Sequence, residues 1–337
     1  MKHADTQLSP LERDFINRYQ GDFPLQENPF QSIAEQLDCS EKVLIQTIKN
    51  LREQKILTRF GPLYDAARLG GGLTLAAMSV PEDRFNIVTQ QVNAFAEVAH
   101  NYRREHKLNM WFVLATETPV EIIQILTSIE EATGLAVYNF PKQHEFYIGL
   151  RFDISNDNVH ETISLADLSM ADNKSGDEYK LTDLDRKIIK QTQSGLPITS
   201  QPYHAVADNI GCNANDIIEH LKKMLNSGVI RRIGAVPNHF RLGFKANGMT
   251  VWDVPDKQII ELGNQVGQLD FVSHSYQRPR HLPLWPYNLF AMVHGHTREA
   301  VNEKTEQIKQ ILGKNCRAHE ILFSTEILKK TGLRLAA

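Results

Sequence analysis

Two short stretches hold side chains suited to acid–base and anion chemistry. The first is His100-Asn101-Tyr102-Arg103-Arg104-Glu105-His106-Lys107, followed by Asn109-Met110-Trp111-Phe112. The second is His274-Ser275-Tyr276-Gln277-Arg278-Pro279-Arg280-His281, followed by Asn288-Leu289-Phe290. Each reads as a strand, a charged turn and a second strand. Alternate residues of a strand share a face, so the spacing predicts one row of His100, Tyr102 and Arg104 and another of His274, Tyr276 and Arg278. An imidazole, a phenol and a guanidinium make a poor core layer and a good floor for an anionic ligand. A single polar strand is ordinarily a solvated sheet face. The same pattern at matching places in two halves favours a site.

The elements that must position these rows come from an internal duplication. Leu11-Glu12-Arg13-Asp14-Phe15-Ile16 falls on Leu184-Asp185-Arg186-Lys187-Ile188-Ile189, Pro24 on Pro197, Cys39 on Cys212 and Leu69-Gly70 on Leu242-Gly243. Further on, His100 falls on His274 and His144-Glu145 on His319-Glu320, with a short insertion, His281 to Tyr287, in the second copy. Helical spacing covers Leu11–Tyr19, Phe30–Leu37 and Glu41–Gln54, with Ser40 a natural N-cap. Each copy follows this trio with a short strand segment and predicts a winged helix-turn-helix with its own hairpin. Strand and helix then alternate as βαββαβ, an antiparallel sheet with both helices on one face. The fold class is therefore α+β: a tandem duplication whose units are a winged helix-turn-helix and a ferredoxin-like domain. The expected parts are residues 1–66 and 67–154, a linker at 155–180 rich in Asn, Asp and Ser, then 181–239 and 240–337.

Composition narrows the class. The chain has 337 residues, enough for several cores, and a formal charge of −3, which gives no global pull towards nucleic acid. Its three cysteines form no CxxC pair, so neither a disulfide framework nor a zinc signature is expected. Met1 to Glu12 lacks an apolar signal region and no apolar run reaches membrane-spanning length, which makes the cytoplasm the expected compartment and excludes a membrane partner. The third helix of each trio sets Lys42, Lys49 and Arg52 against Glu41 and Glu53, and Lys222 and Lys223 against Asp216 and Glu219. Near-neutral recognition helices suit DNA poorly.

A winged helix-turn-helix joined to a βαββαβ domain resembles the Lrp/AsnC regulators. The His-x-Tyr-x-Arg row, the charged turn and the following Asn-Met-Trp-Phe, with the tail Leu322-Phe323-Ser324-Thr325-Glu326-Ile327-Leu328-Lys329-Lys330, more narrowly resemble the siroheme decarboxylases, which share that architecture. Two such units in one chain look like the fused NirD–NirL type of heme d1 synthesis.

The resemblance implies the substrate siroheme, an iron isobacteriochlorin with eight carboxylates, and loss of carbon dioxide from its C12 and C18 acetate arms. It implies no cofactor beyond the iron that the substrate carries, and no resident metal. Protonation of the ring and of the resulting carbanion needs a donor titrating near neutrality, which His supplies. His100, Tyr102, Arg104, His274, Tyr276 and Arg278 are the expected catalytic set, and Arg103, His106, Lys107, Arg280, His281 and His319 the expected substrate-binding set. His144 and His319 are each open to an axial-ligand role, although a half-buried, hydrogen-bonded imidazole is the plainer reading. His294-Gly295-His296, Trp111, Phe290, Cys39 and Cys212 read as structural. The two repeats are expected to pair within the chain, and a second copy or related decarboxylase subunits to be further partners. The competing reading is an Lrp/AsnC-type transcription regulator that senses a tetrapyrrole or an amino acid.

Overall fold

In a computed structural model of the chain, residues 8–65, 68–149, 151–155, 158–162 and 179–330 are described. The first winged unit holds α1 (Pro10–Tyr19), α2 (Pro29–Gln36), α3 (Glu41–Glu53) and the strand β1 (Leu57–Tyr64). Ser9 and Glu12 close a capping box over α1, and Ser40 accepts from the Val43 amide to start α3. The first ferredoxin-like domain runs β2 (Gly72–Met78), α4 (Phe85–Ala94), β3 (Val98–Arg104), β4 (Met110–Thr116), α5 (Glu121–Thr133) and β5 (Val137–Pro141). Three strands follow: β6 (His144–Ile148), β7 (Arg151–Ser155) and β8 (Asn158–Thr162). The second winged unit is α6 (Asp183–Thr192), α7 (Pro202–Ile210), α8 (Ala214–Asn226) and β9 (Ile230–Pro237). The second domain is β10 (Ala246–Asp253), α9 (Ile259–Gly267), β11 (Val272–Gln277), β12 (Leu289–Gly295), α10 (Arg298–Leu312) and β13 (Ala318–Lys330).

The expected element order holds, but the pairing between copies differs from expectation in two ways. Neither wing is a hairpin of its own unit. β1 pairs antiparallel with β9, with Gly61 opposite Gly234, and both helix trios share one hydrophobic core. Asp65 and Leu69 turn the chain straight towards β2, so each unit offers one wing strand and borrows the other. The last strand of each domain also runs on into its neighbour. β13 pairs with β10 through Phe323 and then with β3 from Ser324 onwards, while β6 pairs with β11.

The result is a nine-stranded sheet in the order β5-β2-β4-β3-β13-β10-β12-β11-β6. Its end strands β5 and β6 are joined by only Lys142 and Gln143, so the sheet curls back on itself. One helix pair, α4 and α5, packs on one flank around Phe85, Phe112 and Ile129. The other, α9 and α10, packs on the opposite flank around Trp252, Val266 and Ile308. Between the two halves of the sheet lies an aromatic core of Trp111, Phe140, Trp285 and Phe290. The insertion in the second copy puts Trp285 there, fully buried.

β7, at the end of the expected first ferredoxin-like domain, pairs with β8, which lies inside the expected linker. Asn17 of α1 and Gln20 just after it hydrogen-bond to the main chain at Ile154 and Phe152, which seats this pair on the helical core. Residues 163–178 of the expected linker lie outside the described residues.

The shared wing sheet leaves no room at Gly234, where a Cβ would run into the carbonyl oxygens of Tyr19 and Gln20. Gly234→Ala is expected to cost on the order of 2 kcal/mol by overpacking, seen as a Tm several degrees lower. An unchanged Tm would contradict this packing of the wings.

Candidate functional site

A β-bulge sets the face of each row. The register shifts between Val98 and His100 against β4, and between Val272 and His274 against β12. Val98 and Val272 therefore belong to the helix-side cores, whereas the row beginning two residues later faces the interior between the sheet halves. Tyr102 lies opposite Trp111 and Tyr276 opposite Phe290, both in that interior core. Bulges commonly re-aim side chains beside active sites.

The arginines end the rows reciprocally. Arg104 donates to the main-chain oxygen of Leu322, 2.6 Å away in the second repeat, and Arg278 donates to that of Phe140 in the first. Burial lowers both guanidinium pKa values to about 10, so both stay charged at neutral pH. Each also keeps a buried Nε without a hydrogen-bond partner among the described residues. Two buried cations with an unused donor apiece call for an anion.

The imidazoles depart from expectation. Burial, with Lys330 nearby, takes His100 down to about 4; burial, with Arg231 outweighing Glu145, takes His274 to about 4. Both are neutral at pH 7 rather than titrating near it, because burial beside cations disfavours a further positive charge. Burial raises the pKa of Tyr102 and Tyr276, so both phenols keep their protons.

The surroundings of the rows differ. Beside the second, Glu145 of β6 stands opposite Tyr276 and is held by Arg231 at 3.1 Å and Lys142 at 2.7 Å. Burial favours its neutral form, but these two cations outweigh that and bring its pKa to about 2. Arg231 also meets Asp65 at 2.8 Å. Beside the first row, Ile327 takes the position opposite Tyr102 and Lys330 stands opposite His100. Behind His274 lie Ser273, His294, Asn247 and His239, which the sequence reading passed over or, for His294, took as structural. Comparing the repeats position by position would have exposed them, since Ala115 and Leu73 occupy the matching places of His294 and Asn247.

The expected substrate-binding residues divide. His106 and His281 line the far edge of the interior: His106 meets Glu320 at 3.2 Å, and His281 meets the Asn139 carbonyl oxygen at 2.8 Å. Arg103 faces the helices instead, over Phe85 and paired with Glu82. Arg280 is tied to Asp253, Asp256 and two main-chain oxygens, where it pins the widened turn. Lys107 is exposed. His319 stacks on Trp252 at 4.8 Å, on the helix-facing side of the sheet, away from both rows. Nor are His144-Glu145 and His319-Glu320 counterparts: Leu322 and Phe140 match as acceptors for the two arginines, which places His319 at the position of Val137.

Comparison with known proteins identifies the domains and the family. A family model described as an AsnC-like ligand binding domain matches residues 68–147 and 241–329, and one described as a siroheme decarboxylase NirDL-like HTH domain matches 12–57 and 185–231. A siroheme decarboxylase of Hydrogenobacter thermophilus is 31% identical over 319 residues, 94% of this chain and 92% of that one. The chain belongs to the siroheme decarboxylase family. The choice left open between an enzyme and a regulator thus falls to the enzyme. One half of this decarboxylase-family chain, 153 residues or 45% of it, is 54% identical to the siroheme decarboxylase NirH subunit of Pseudomonas aeruginosa, 90% of which is covered. The crystal structure of the siroheme decarboxylase NirDL in complex with an iron-uroporphyrin III analogue superposes with a TM-score of 0.68 at 27% identity, covering 95% of this chain and 92% of that one.

His100, His239, His274 and His294 are all kept neutral by burial, His239 down to about 3 and His294 well below its usual value. The unfolded chain therefore binds more protons than the folded one once pH falls below about 6.5. Stability rises with pH across the window from about 4 to 6.5 and is lost as pH falls through it, His100 and His274 each contributing on the order of 3 kcal/mol when fully expressed. Tm measured from pH 7 down to 4.5 should drop steeply, and less steeply in His100→Phe. A flat Tm profile would contradict neutral burial.

Proposed function

We propose that this chain removes carbon dioxide from the C12 and C18 acetate arms of siroheme and yields 12,18-didecarboxysiroheme on the route to heme d1. The observation that carries the reading is the pair of half-buried His-Tyr-Arg rows, each ending in a charged guanidinium whose Nε has no hydrogen-bond partner among the described residues. Anionic arms of a tetrapyrrole would satisfy those donors, and arginine suits carboxylates through its fixed fork. The named relatives support the substrate class.

In each decarboxylation the bond between the arm's methylene carbon and its carboxyl carbon breaks. The electron pair stays with the methylene, carbon dioxide leaves, and one proton completes the methyl group. Charge leaves the carboxylate as the reaction proceeds, so a guanidinium held tightly on the departing group would stabilise the ground state more than the transition state. Arg104 and Arg278, anchored on the opposite repeat, orient arms without following them. Tyr102 and Tyr276 stay protonated and hydrogen-bond at the macrocycle edge.

The proton comes from His100 or His274. Both are neutral in the ligand-free interior, but a polyanion raises the pKa of a neighbouring imidazole. Binding therefore draws a proton into the pocket where the carbanion forms. The substrate brings the iron. We further propose that the protein works in the cytoplasm and assembles with a second copy or with related decarboxylase subunits; the likeness of one half to a protein named as a subunit supports the latter.

His100→Ala and His274→Ala test the assignment. Both variants are expected to bind siroheme, followed by its absorption change, while at least one loses on the order of 100-fold in turnover, the range of general acid catalysis. Wild-type turnover in both would sink it.

A further inference from the structure

Behind His274 runs a chain of hydrogen bonds whose direction can be read from the partners. Asn247 Oδ1 only accepts, so the contact with His294 Nδ1 makes that nitrogen the N–H of His294. His294 Nε2 is then an acceptor, and the Ser273 hydroxyl, 2.8 Å away, donates to it rather than to the Met292 main-chain oxygen at 3.4 Å. With its proton directed there, Ser273 Oγ accepts from His274 Nδ1 at 2.9 Å. His274 is left as the Nδ1–H tautomer, with Nε2 as the nitrogen open to a ligand.

The first repeat lacks the whole device. Ala99 occupies the bulge position of Ser273, and the register partners Leu73 and Ala115 stand where Asn247 and His294 pair. His100 Nδ1 is buried with no partner among the described residues. The same sheet geometry is thus built in the first repeat from apolar side chains, so the polar trio is not required by the fold.

We infer that Asn247, His294 and Ser273 are positioning residues that lock the tautomer of His274, and that the second repeat therefore holds the proton-donating histidine. This rests on the decarboxylase reading given above. The first repeat's His100, beside Lys330, then serves to hold an anionic arm. Once His274 Nε2 has given its proton to the substrate, the ring is left neutral with Nδ1–H still held by Ser273 Oγ, so Nε2 is the nitrogen that takes up the next proton. The charged and titratable groups facing His274 are Arg231 of β9, Glu145 of β6, Arg278 of β11, His294 of β12 and His239 after β9. Those facing His294 include Lys304 of α10 and Arg104 of β3.

The test uses the full chain with 15N-labelled histidines, His274→Gln identifying the His274 signals. At pH 7 wild-type His274 should appear as the Nδ1–H tautomer. Ser273→Ala should release it to Nε2–H or a mixture, and Ser273→Thr, which keeps the hydroxyl, should retain it. In siroheme turnover, Ser273→Ala should lose about tenfold or more in kcat with KM within about twofold, with a displaced pH–rate profile, and Ser273→Thr should recover most of the rate. Asn247→Leu, which installs the first repeat's residue, should act in the same direction and serves if Ser273→Ala does not fold. An unchanged His274 tautomer in these variants, or wild-type rates at every pH, would overturn the inference. A wild-type protein that leaves siroheme unaltered would instead overturn the decarboxylase reading, while the tautomer measurement still decides the hydrogen-bonded chain.

Discussion

The interior of this protein depends on two arginines that each repeat lends to the other. Arg104 donates to Leu322 and Arg278 to Phe140, so each polar row ends on a main-chain oxygen of the opposite repeat. Taking a guanidinium out of water costs several kcal/mol, and one hydrogen bond to a carbonyl returns only part of that. Of the strands that cross over, β13 carries the Leu322 carbonyl to Arg104, and β6, by pairing with β11 directly after β5, brings the Phe140 carbonyl to Arg278. The remaining electrostatic demand is what an anionic ligand can meet. Fold and site are therefore one problem: the sheet closes over charges that stay incompletely satisfied until a ligand arrives.

Duplication within one chain lets the two halves of this arrangement diverge without disturbing the pairing. The shared skeleton persists in the bulges, the arginine anchors, and the asparagines Asn109 and Asn288, which bridge to Val80 and Val254. The additions are one-sided. Beside the second row stand the Asn247-His294-Ser273 chain and the Glu145-Arg231-Asp65 cluster, and the second repeat adds the Trp285 plug, whereas beside the first row stand Lys330 and apolar replacements. A pocket that binds a polyanion at several points but moves a proton at one has this kind of division.

Much of this was legible in the sequence, and the failures have a common cause. Helices announced themselves through local signals, such as the Ser9–Glu12 and Thr182–Asp185 capping boxes and Ser40. The rows were legible from alternation, although the bulges at Ala99 and Ser273 decide which face they take, and no residue type there advertises a bulge. What the sequence hid was pairing at a distance. Apolar strands do not state which copy they join, so the borrowed wing strand and the crossing tails were invisible. Arg103 and Arg280 looked like free cations because Glu82, Asp253 and Asp256 lie about 20 or more residues away in the chain. The apparent match of His144-Glu145 with His319-Glu320 was a coincidence of type, exposed only by register.

The most direct measurement of the central claim is an anaerobic incubation of the purified wild-type protein with siroheme, followed by mass analysis of the extracted tetrapyrrole. The account predicts the loss of carbon dioxide units from the acetate arms, up to both, in the presence of whichever related subunits the chain requires. A tetrapyrrole recovered at its starting mass, with and without those subunits, would contradict it.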